Sequence, residues 1–469
     1  MTKRIPVAIV GALLLLASST ALAQGTTTRG INTVIEGREG QPATPADAVS
    51  TPDAKAAEAA PAEPPKGAWK RWTSFIDGEL ERIGKDDRYG VTAQLPKGYA
   101  SIKWDYTQLK AGRRYDDKHE IGPVMKPISL PGGALDVGLK GHGGGHVFQA
   151  SYGILGNFDW YFEVPYQYMH LSFNPKFLDP DGKPVTGNNP DGSPDPDFAR
   201  KEGLRKLYYY LPKLGRPVPQ LKYDADWVLA DINTGFSWNP WRTERLSTSL
   251  TCRVFLPTGR VANPNSSLFL ATGPELDTGI GGWVAGFTHG LDLRVYKYSY
   301  WIDIILSSEF TASYGFKQHR RYPTNFTTEP DPKVLKAFND PAVYNQFPDL
   351  RHLKDLGGFD YTPGFGLSWT GQLQVQVALL GFNFGYGVIH SQEPEMQGDY
   401  YFIQMAKSLQ LMGQNTIQAI QVGASLSLLP IYVPVNIGFS YRKMVDGYQA
   451  IVFDDYWNVI VKAFIPIFR

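Results

Sequence analysis

Several residue types in this chain could in principle do chemistry. Ser307 or Ser368 with His289 would supply a nucleophile and a base. No Gly-x-Ser-x-Gly or His-Glu-x-x-His run accompanies them, so no motif selects the pair and no enzyme is expected. His142-Gly-Gly-Gly-His146 offers two imidazoles, but a zinc site needs a third ligand and none is near in sequence. Asp179, Asp181, Asp191, Asp195 and Asp197 gather oxygen ligands of the kind calcium takes, yet the twelfth position counted from Asp179 is Pro190 where an EF-hand needs Glu. A solvated acidic loop is the plainer reading. Gly279-Ile-Gly-Gly lacks the strand-then-helix setting of a nucleotide fingerprint. The one cysteine, Cys252, cannot form an internal disulfide and falls among outward apolar positions of a strand. No metal and no cofactor are therefore expected. What remains is a set of charges recurring on alternate residues: Lys103, Asp105, Asp159, Glu163, Asp231, Arg253, Asp303, Glu309, Arg442 and Lys462. Turned inward, they would line a pore and solvate what passes. Their mixed signs argue against strong ion selectivity. Paired with one another, they would close the interior instead.

The elements that position these residues alternate with period two from Gly98 onward. Asp159, Glu163 and Gln167 interleave with Trp160, Phe162, Val164 and Tyr166. Ser247, Ser249, Thr251 and Arg253 interleave with Leu250, Cys252 and Val254. Such alternation marks strands with one wet and one apolar face. Strands are expected at 99–111, 145–155, 158–172, 224–238, 245–256, 276–289, 298–316, 357–370, 373–387, 416–429, 433–443 and 452–464. Short connections at 156–157, 240–244, 290–297, 370–372 and 429–431 alternate with connections that are mostly long, at 112–144, 174–223, 257–275, 317–356, 388–415 and 444–451. A soluble sandwich also alternates, but it has no reason to alternate short turns with long loops. About twelve strands, an even number, with short periplasmic turns and long outer loops, is the pattern of a transmembrane antiparallel β-barrel in a bacterial outer membrane. Closure is required there because lipid offers no partner to an unpaired backbone group. The sixth strand is ambiguous in face near Gly281-Gly282, and Ala134 to Lys140 reads as an upward extension of the second strand. Phe198 to Leu211, with Arg200, Lys201, Arg205 and Lys206, reads as an amphipathic helix that lies over the mouth or meets lipid phosphates.

Ahead of the barrel, at 98–469, the chain divides into three parts. Residues 1–23 read as a signal peptide: Lys3 and Arg4, an apolar run, then Ala21-Leu-Ala23 before the cleavage point. Residues 24–67 read as a disordered periplasmic linker rich in Pro and Ala. Residues 68–84 read as a short amphipathic helix with Trp69, Trp72, Ile76 and Leu80 on one face. That face would dock on the barrel body, join copies of the chain or a periplasmic partner, or enter the lumen. No later run of eighteen apolar residues suits a spanning helix. A net charge of +1 gives no reason to expect nucleic acid, and a mean hydropathy of -0.26 is too low for a multi-helix membrane protein.

Tyr152-Gly-Ile-Leu-Gly-Asn-Phe-Asp-Trp-Tyr-Phe-Glu-Val-Pro-Tyr166, Phe255-Leu-Pro-Thr-Gly259, Thr272-Gly273 and Asp277-Thr-Gly-Ile-Gly281 together resemble the outer-membrane barrel family named for the meta-pathway of phenol degradation. The resemblance runs from Gly98 to the end and implies a channel for aromatic and other poorly soluble compounds. The expected function is an outer-membrane channel for passive passage of small solutes, with outer-membrane lipid and the solute as partners. The alternative is a structural barrel that anchors a periplasmic or surface assembly.

Overall fold

In the computed structural model, residues 90–466 are described, apart from 126, 217, 219, 262, 266–278, 299–300, 338–346, 409–413 and 429–432. The segments expected as signal peptide, linker and helix, the last with Trp69, Trp72, Ile76 and Leu80, lie outside the described residues.

Twelve strands form a closed antiparallel barrel. They are β1 Tyr99–Tyr115, β2 Lys140–Leu155, β3 Phe158–Ser172, β4 Ile232–Arg242, β5 Leu246–Leu256 and β6 Val284–Tyr298. The second half comprises β7 Ile302–Gly315, β8 Gly366–Val377, β9 Leu380–Ser391, β10 Asn415–Ser427, β11 Val435–Tyr448 and β12 Ile451–Pro466. Each pairs with the next, and β1 closes the ring by pairing with β12, Tyr99 opposite Pro466, as well as with β2. A separate strand, Lys222–Leu229, prolongs the pairing of β3 beyond β4. Closure leaves no sheet edge to be satisfied by lipid. No described helix is long and apolar enough to cross a membrane.

Sequence and structure part company in the middle of the barrel. The expected strands at 276–289, 357–370 and 373–387 are displaced, whereas the one at 298–316 is found as Ile302–Gly315, and the turns expected at 290–297 and 370–372 are strand interior. Leu291, Leu293 and Val295 point outward while Asp292 and Arg294 are buried inward, so the alternation simply continues through the charges. The true hairpin ends follow Tyr298 and Val377. At the second, Ala378 takes φ 50 and its amide reaches the Trp301 carbonyl at 2.8 Å. Gly371 imitates a turn residue, but it sits on the outward face beneath the Trp369 indole, which a Cβ would approach to 3.0 Å. The 134–140 stretch does not extend β2. Gly133–Asp136 joins Ile128–Leu130 and Lys176–Leu178 in a three-stranded sheet of the outer loops.

The two faces of the barrel differ as lipid and water demand. Phe148, Phe236, Val254, Phe287, Leu306, Phe310, Phe384 and Phe439 are exposed on the outside, forming the apolar band. Trp238, Trp241, Tyr296, Tyr298 and Trp301 gird it at the short-turn end, and Trp227, Trp283, Tyr314 and Phe316 gird the loop end. Aromatic rings at both rims fit the headgroup layers. Cys252 is exposed on this outer face. The protein is an outer-membrane β-barrel.

Candidate functional site

The candidate site is the lumen, and it changes character along its axis. On the β4–β7 side, down to the short-turn end, its wall is polar. Asn233, Ser237 and Asn239 from β4, Ser247, Ser249 and Thr251 from β5, Thr288, Asp292 and Arg294 from β6, and Asp303, Ser307 and Glu309 from β7 are all buried. Against this wall lies the chain segment 90–96, which runs inside the barrel before Gly98 turns into β1. A single helical turn, Gly90–Thr92, is gripped by the Asp292 carboxylate. Val91 N donates to Oδ1 at 3.1 Å and Thr92 N donates to Oδ2 at 2.6 Å. Ser307 Oγ donates to the same carboxylate. Thr92 Oγ1 donates to Ser247 Oγ at 2.6 Å, and Asn239 Nδ2 donates to the Thr92 carbonyl at 3.2 Å. Further along, Gln94 Nε2 donates to Ser237 Oγ at 3.3 Å and Leu95 N donates to Asp159 Oδ2 at 2.8 Å. Gly90 is required twice over: its φ is +66, and a side chain there would collide with Asp292. Gly290 opens the adjoining space, since a Cβ would crowd Ser249, Val91 and Thr92.

The ten charged residues read from the sequence fall on the inward side or at its rim, and the structure shows what each touches. Asp159 holds the luminal segment. Asp303 forms a bidentate pair with Arg294, both bonds 3.0 Å. Arg253 Nη2 donates to Thr288 Oγ1 at 2.5 Å, Glu163 accepts from Asn233 Nδ2 at 2.6 Å, and Asp105 accepts from Asn458 Nδ2 at 3.4 Å. Lys103 and Glu309 are buried. Lys462 lies over the Phe464 ring at 4.7 Å, and Arg442 lies over Tyr456 at 5.0 Å. Asp231 does something else. It is a clamp, taking Gly259 N at 2.9 Å and Ile280 N at 2.6 Å, and so ties the two arms of the β5–β6 loop together. Gly259 and Gly279 touch backbone to backbone beside it, where a Cβ on either would clash. The clamp joins the Leu-Pro-Thr-Gly and Gly-Ile-Gly runs seen in the sequence. Sequence reasoning missed Asp292 and Arg294, which the misplaced turn removed from the inward face. The uninterrupted Leu291, Leu293, Val295 rhythm was the available signal.

The loop end of the lumen is apolar. Leu109, Ala111, Leu171, Ile417, Ala419, Met444, Phe453 and Tyr456 of the strands join Val124, Met125, Leu135, Val137, Phe173 and Phe177 of the loops in one buried cluster. A helix, α1 Phe198–Lys213, closes over it with Leu207 and Leu211. Below this cap, inward residues of β8 to β12 surround a cavity with about 520 Å³ of atom-free space, part of it open to solvent.

The remaining motifs resolve locally. Ser307 and Ser368 are buried on the inward face, whereas His289 lies between outward Leu250 and Phe310 in the ladder, so they cannot meet. His142 and His146 belong to β2 on its outward face. His142 stacks on His170 at 4.6 Å; His146 stacks on Trp227 at 4.5 Å and accepts from Trp104 Nε1 at 3.0 Å. The acidic loop spends its carboxylates on its own turns. Asp179 caps Asp181 N and Lys183 N, Asp191 takes the Ser193 amide and hydroxyl, and Asp195 takes Asp197 N and Lys201 Nζ. The Lys201 hydrogen bond holds the Asp195 carboxyl below the ordinary Asp range.

No family model matches the chain, and no curated protein does. The barrel is similar to that of an outer-membrane channel of Pseudomonas putida F1, at 8% identity over 79% of this chain and 97% of that one, with a TM-score of 0.45. It is also similar to LpxR of Salmonella typhimurium, at 12% identity over 78% and 100%, TM-score 0.31. The Pseudomonas putida toluene transporter TodX is a third, at 8% identity over 84% and 93%, TM-score 0.30.

Proposed function

We propose that the barrel is a channel for passive passage of small solutes across the outer membrane, and that the inward charges Lys103, Asp105, Glu163, Arg253, Asp303, Glu309 and Arg442 line its path. The observation that carries this reading is a set of polar atoms on the inner wall that find no partner within the protein. Gln94 Oε1, Asn233 Oδ1, Asn239 Oδ1, Ser249 Oγ, Arg253 Nε and Gln374 Oε1 are buried without a protein partner. Leaving such atoms dry costs about 1–3 kcal/mol each, so they call for water inside the barrel. A solute enters from the loop end, rests in the apolar upper lumen, and leaves past the polar wall when segment 90–96 yields. An apolar upper lumen suits the aromatic or poorly soluble solutes implied by the family resemblance, which is the finer part of the proposal. Passage needs no catalysis and no cofactor.

A second reading has an observation of its own. The luminal segment and the buried inward side chains also suit a sealed barrel that serves as an anchor. Planar-bilayer recording of the full chain separates the two: discrete current steps support the channel, and a folded barrel without current supports the anchor.

A further inference from the structure

The upper cavity holds a charge that an apolar store would not need. Its walls are Ile389, Ile417, Ala419, Met444, Phe453 and Tyr456, with the Arg442 guanidinium among them. In the ladder Gln421 stands between Arg442 and Gly385 of β9, and with Gly387 next on the inward face this stretch of β9 contributes no side chain to the cavity. A Cβ at Gly387 would press on Thr370 Oγ1 at 3.2 Å.

Among the described residues, the partners of Arg442 are neutral. Its Nη2 donates to Gln421 Oε1 at 3.0 Å, and its plane lies over the Tyr456 ring, centroid 5.0 Å away. Other luminal charges are matched differently: Arg294 has Asp303 in a bidentate pair at 3.0 Å. An arginine presents five donors in a planar fork suited to a carboxylate. Arg442 is half-buried, and one amide oxygen and a ring face use only part of that fork, which leaves donors for a carboxylate.

We propose that the cavity is a binding site for small amphiphilic monoanions, an aromatic or short aliphatic body on a carboxylate, with Arg442 taking the carboxylate and Ile417, Met444 and Phe453 enclosing the body. The proposal refines the channel reading by naming the solute class at one station of the path. Binding at that station does not itself require current. A neutral aromatic of the same shape forfeits the charge-assisted bond, and a cationic one meets Arg442 as a like charge.

The test is calorimetric titration of the full chain in detergent with benzoate, benzyl alcohol and benzylamine, each corrected against empty micelles. Benzoate should bind saturably and at least about tenfold more tightly than benzyl alcohol, with benzylamine weakest, a margin in keeping with one charge-assisted bond. Arg442→Gln should bring benzoate down to the benzyl alcohol level, and Met444→Trp, which fills the cavity without touching the charge, should abolish both. Equal binding of the acid and the alcohol by the unaltered chain would overturn the proposal, and this comparison needs no variant to fold. Unchanged benzoate binding in a folded Arg442→Gln barrel would overturn it as well. Saturable benzoate binding by a barrel that passes no current would leave the site standing and sink the channel. Current without selective benzoate binding would do the reverse.

Discussion

The lower and upper halves of the lumen are filled by opposite means. On the β4–β7 side, segment 90–96 is held by side-chain carboxylates and hydroxyls, and backbone amides are the ligands: Asp292 takes two of them and Asp159 a third. On the β9–β12 side and at the mouth, contact is apolar, through Ile417, Ala419, Met444, Phe453, Leu207 and Leu211. Hydrogen bonds are directional and exchangeable with water, so each contributes little net stability and can be given up piecemeal. An apolar cluster is lost cooperatively, because every member shares its buried area with the others. The difference teaches what holds each end: the mouth is closed by apolar packing that opens only as a unit, and the lower segment is a ligand bound to the wall.

Breaking the core should have the largest effect. Val137→Asp sets an unpaired carboxylate into the mouth cluster, where Val137 is fully buried, at a cost of several kcal/mol, roughly the 3–5 expected of an uncompensated buried charge. Denaturant titration followed by gel mobility of the folded barrel should show that loss, and a barrel of unaltered stability would deny that this region is a core. Releasing the ligand should cost less. In Asp292→Ala the Val91 and Thr92 amides lose their acceptor, and their hydrogen exchange should quicken by roughly 10- to 100-fold while barrel amides keep theirs. Gly90→Val should do the same from the segment's side, since it drives the turn off Asp292 without altering the wall. Smaller again is the loop clamp. Asp231→Ala frees the amides of Gly259 and Ile280 for about 1–2 kcal/mol, seen as faster proteolysis between residues 257 and 283 with the barrel intact. The smallest effect is that of pH on the outer loop. Because the Asp195 carboxyl is held down by Lys201 in the folded loop, its contribution is present above the unfolded Asp range and fades as pH falls through the folded value. Loop 174–223 should therefore be cut faster by an acid protease only at the acid end of its range, and Lys201→Ala should remove that dependence.

Much of this architecture was legible because lipid enforces it. The even strand number, the short and long connections and the outward apolar positions all follow from one alternation that a closed sheet cannot break. The failures share a cause. Asp292 and Arg294 read as a turn because charges beside Gly290 look solvated, when both are buried and satisfied from within the barrel, Asp292 by the Val91 and Thr92 amides and Arg294 by Asp303. Thr370-Gly-Gln372 misled because glycine marks turns, while here it makes room for Trp369. At the site, period alone sorted inward from outward charges, but it could not tell Asp159, which grips another segment, from Glu163, which bonds its neighbour on the next strand. Nor could it place residues 90–96, whose hydrogen bonds reach partners as far as 201 positions away. The apolar upper lumen was hidden for a related reason. Ile417, Ala419 and Met444 face inward, against the rule that inward means polar, because loops cover them.

The account rests on an interior that conducts once the lower segment lets go, and single-channel recording of the full chain beside Asp292→Ala tests it most directly. Discrete steps in the unaltered barrel, larger or longer-lived in the variant, are the predicted result. A silent membrane in both, with each protein shown folded and inserted, would contradict it.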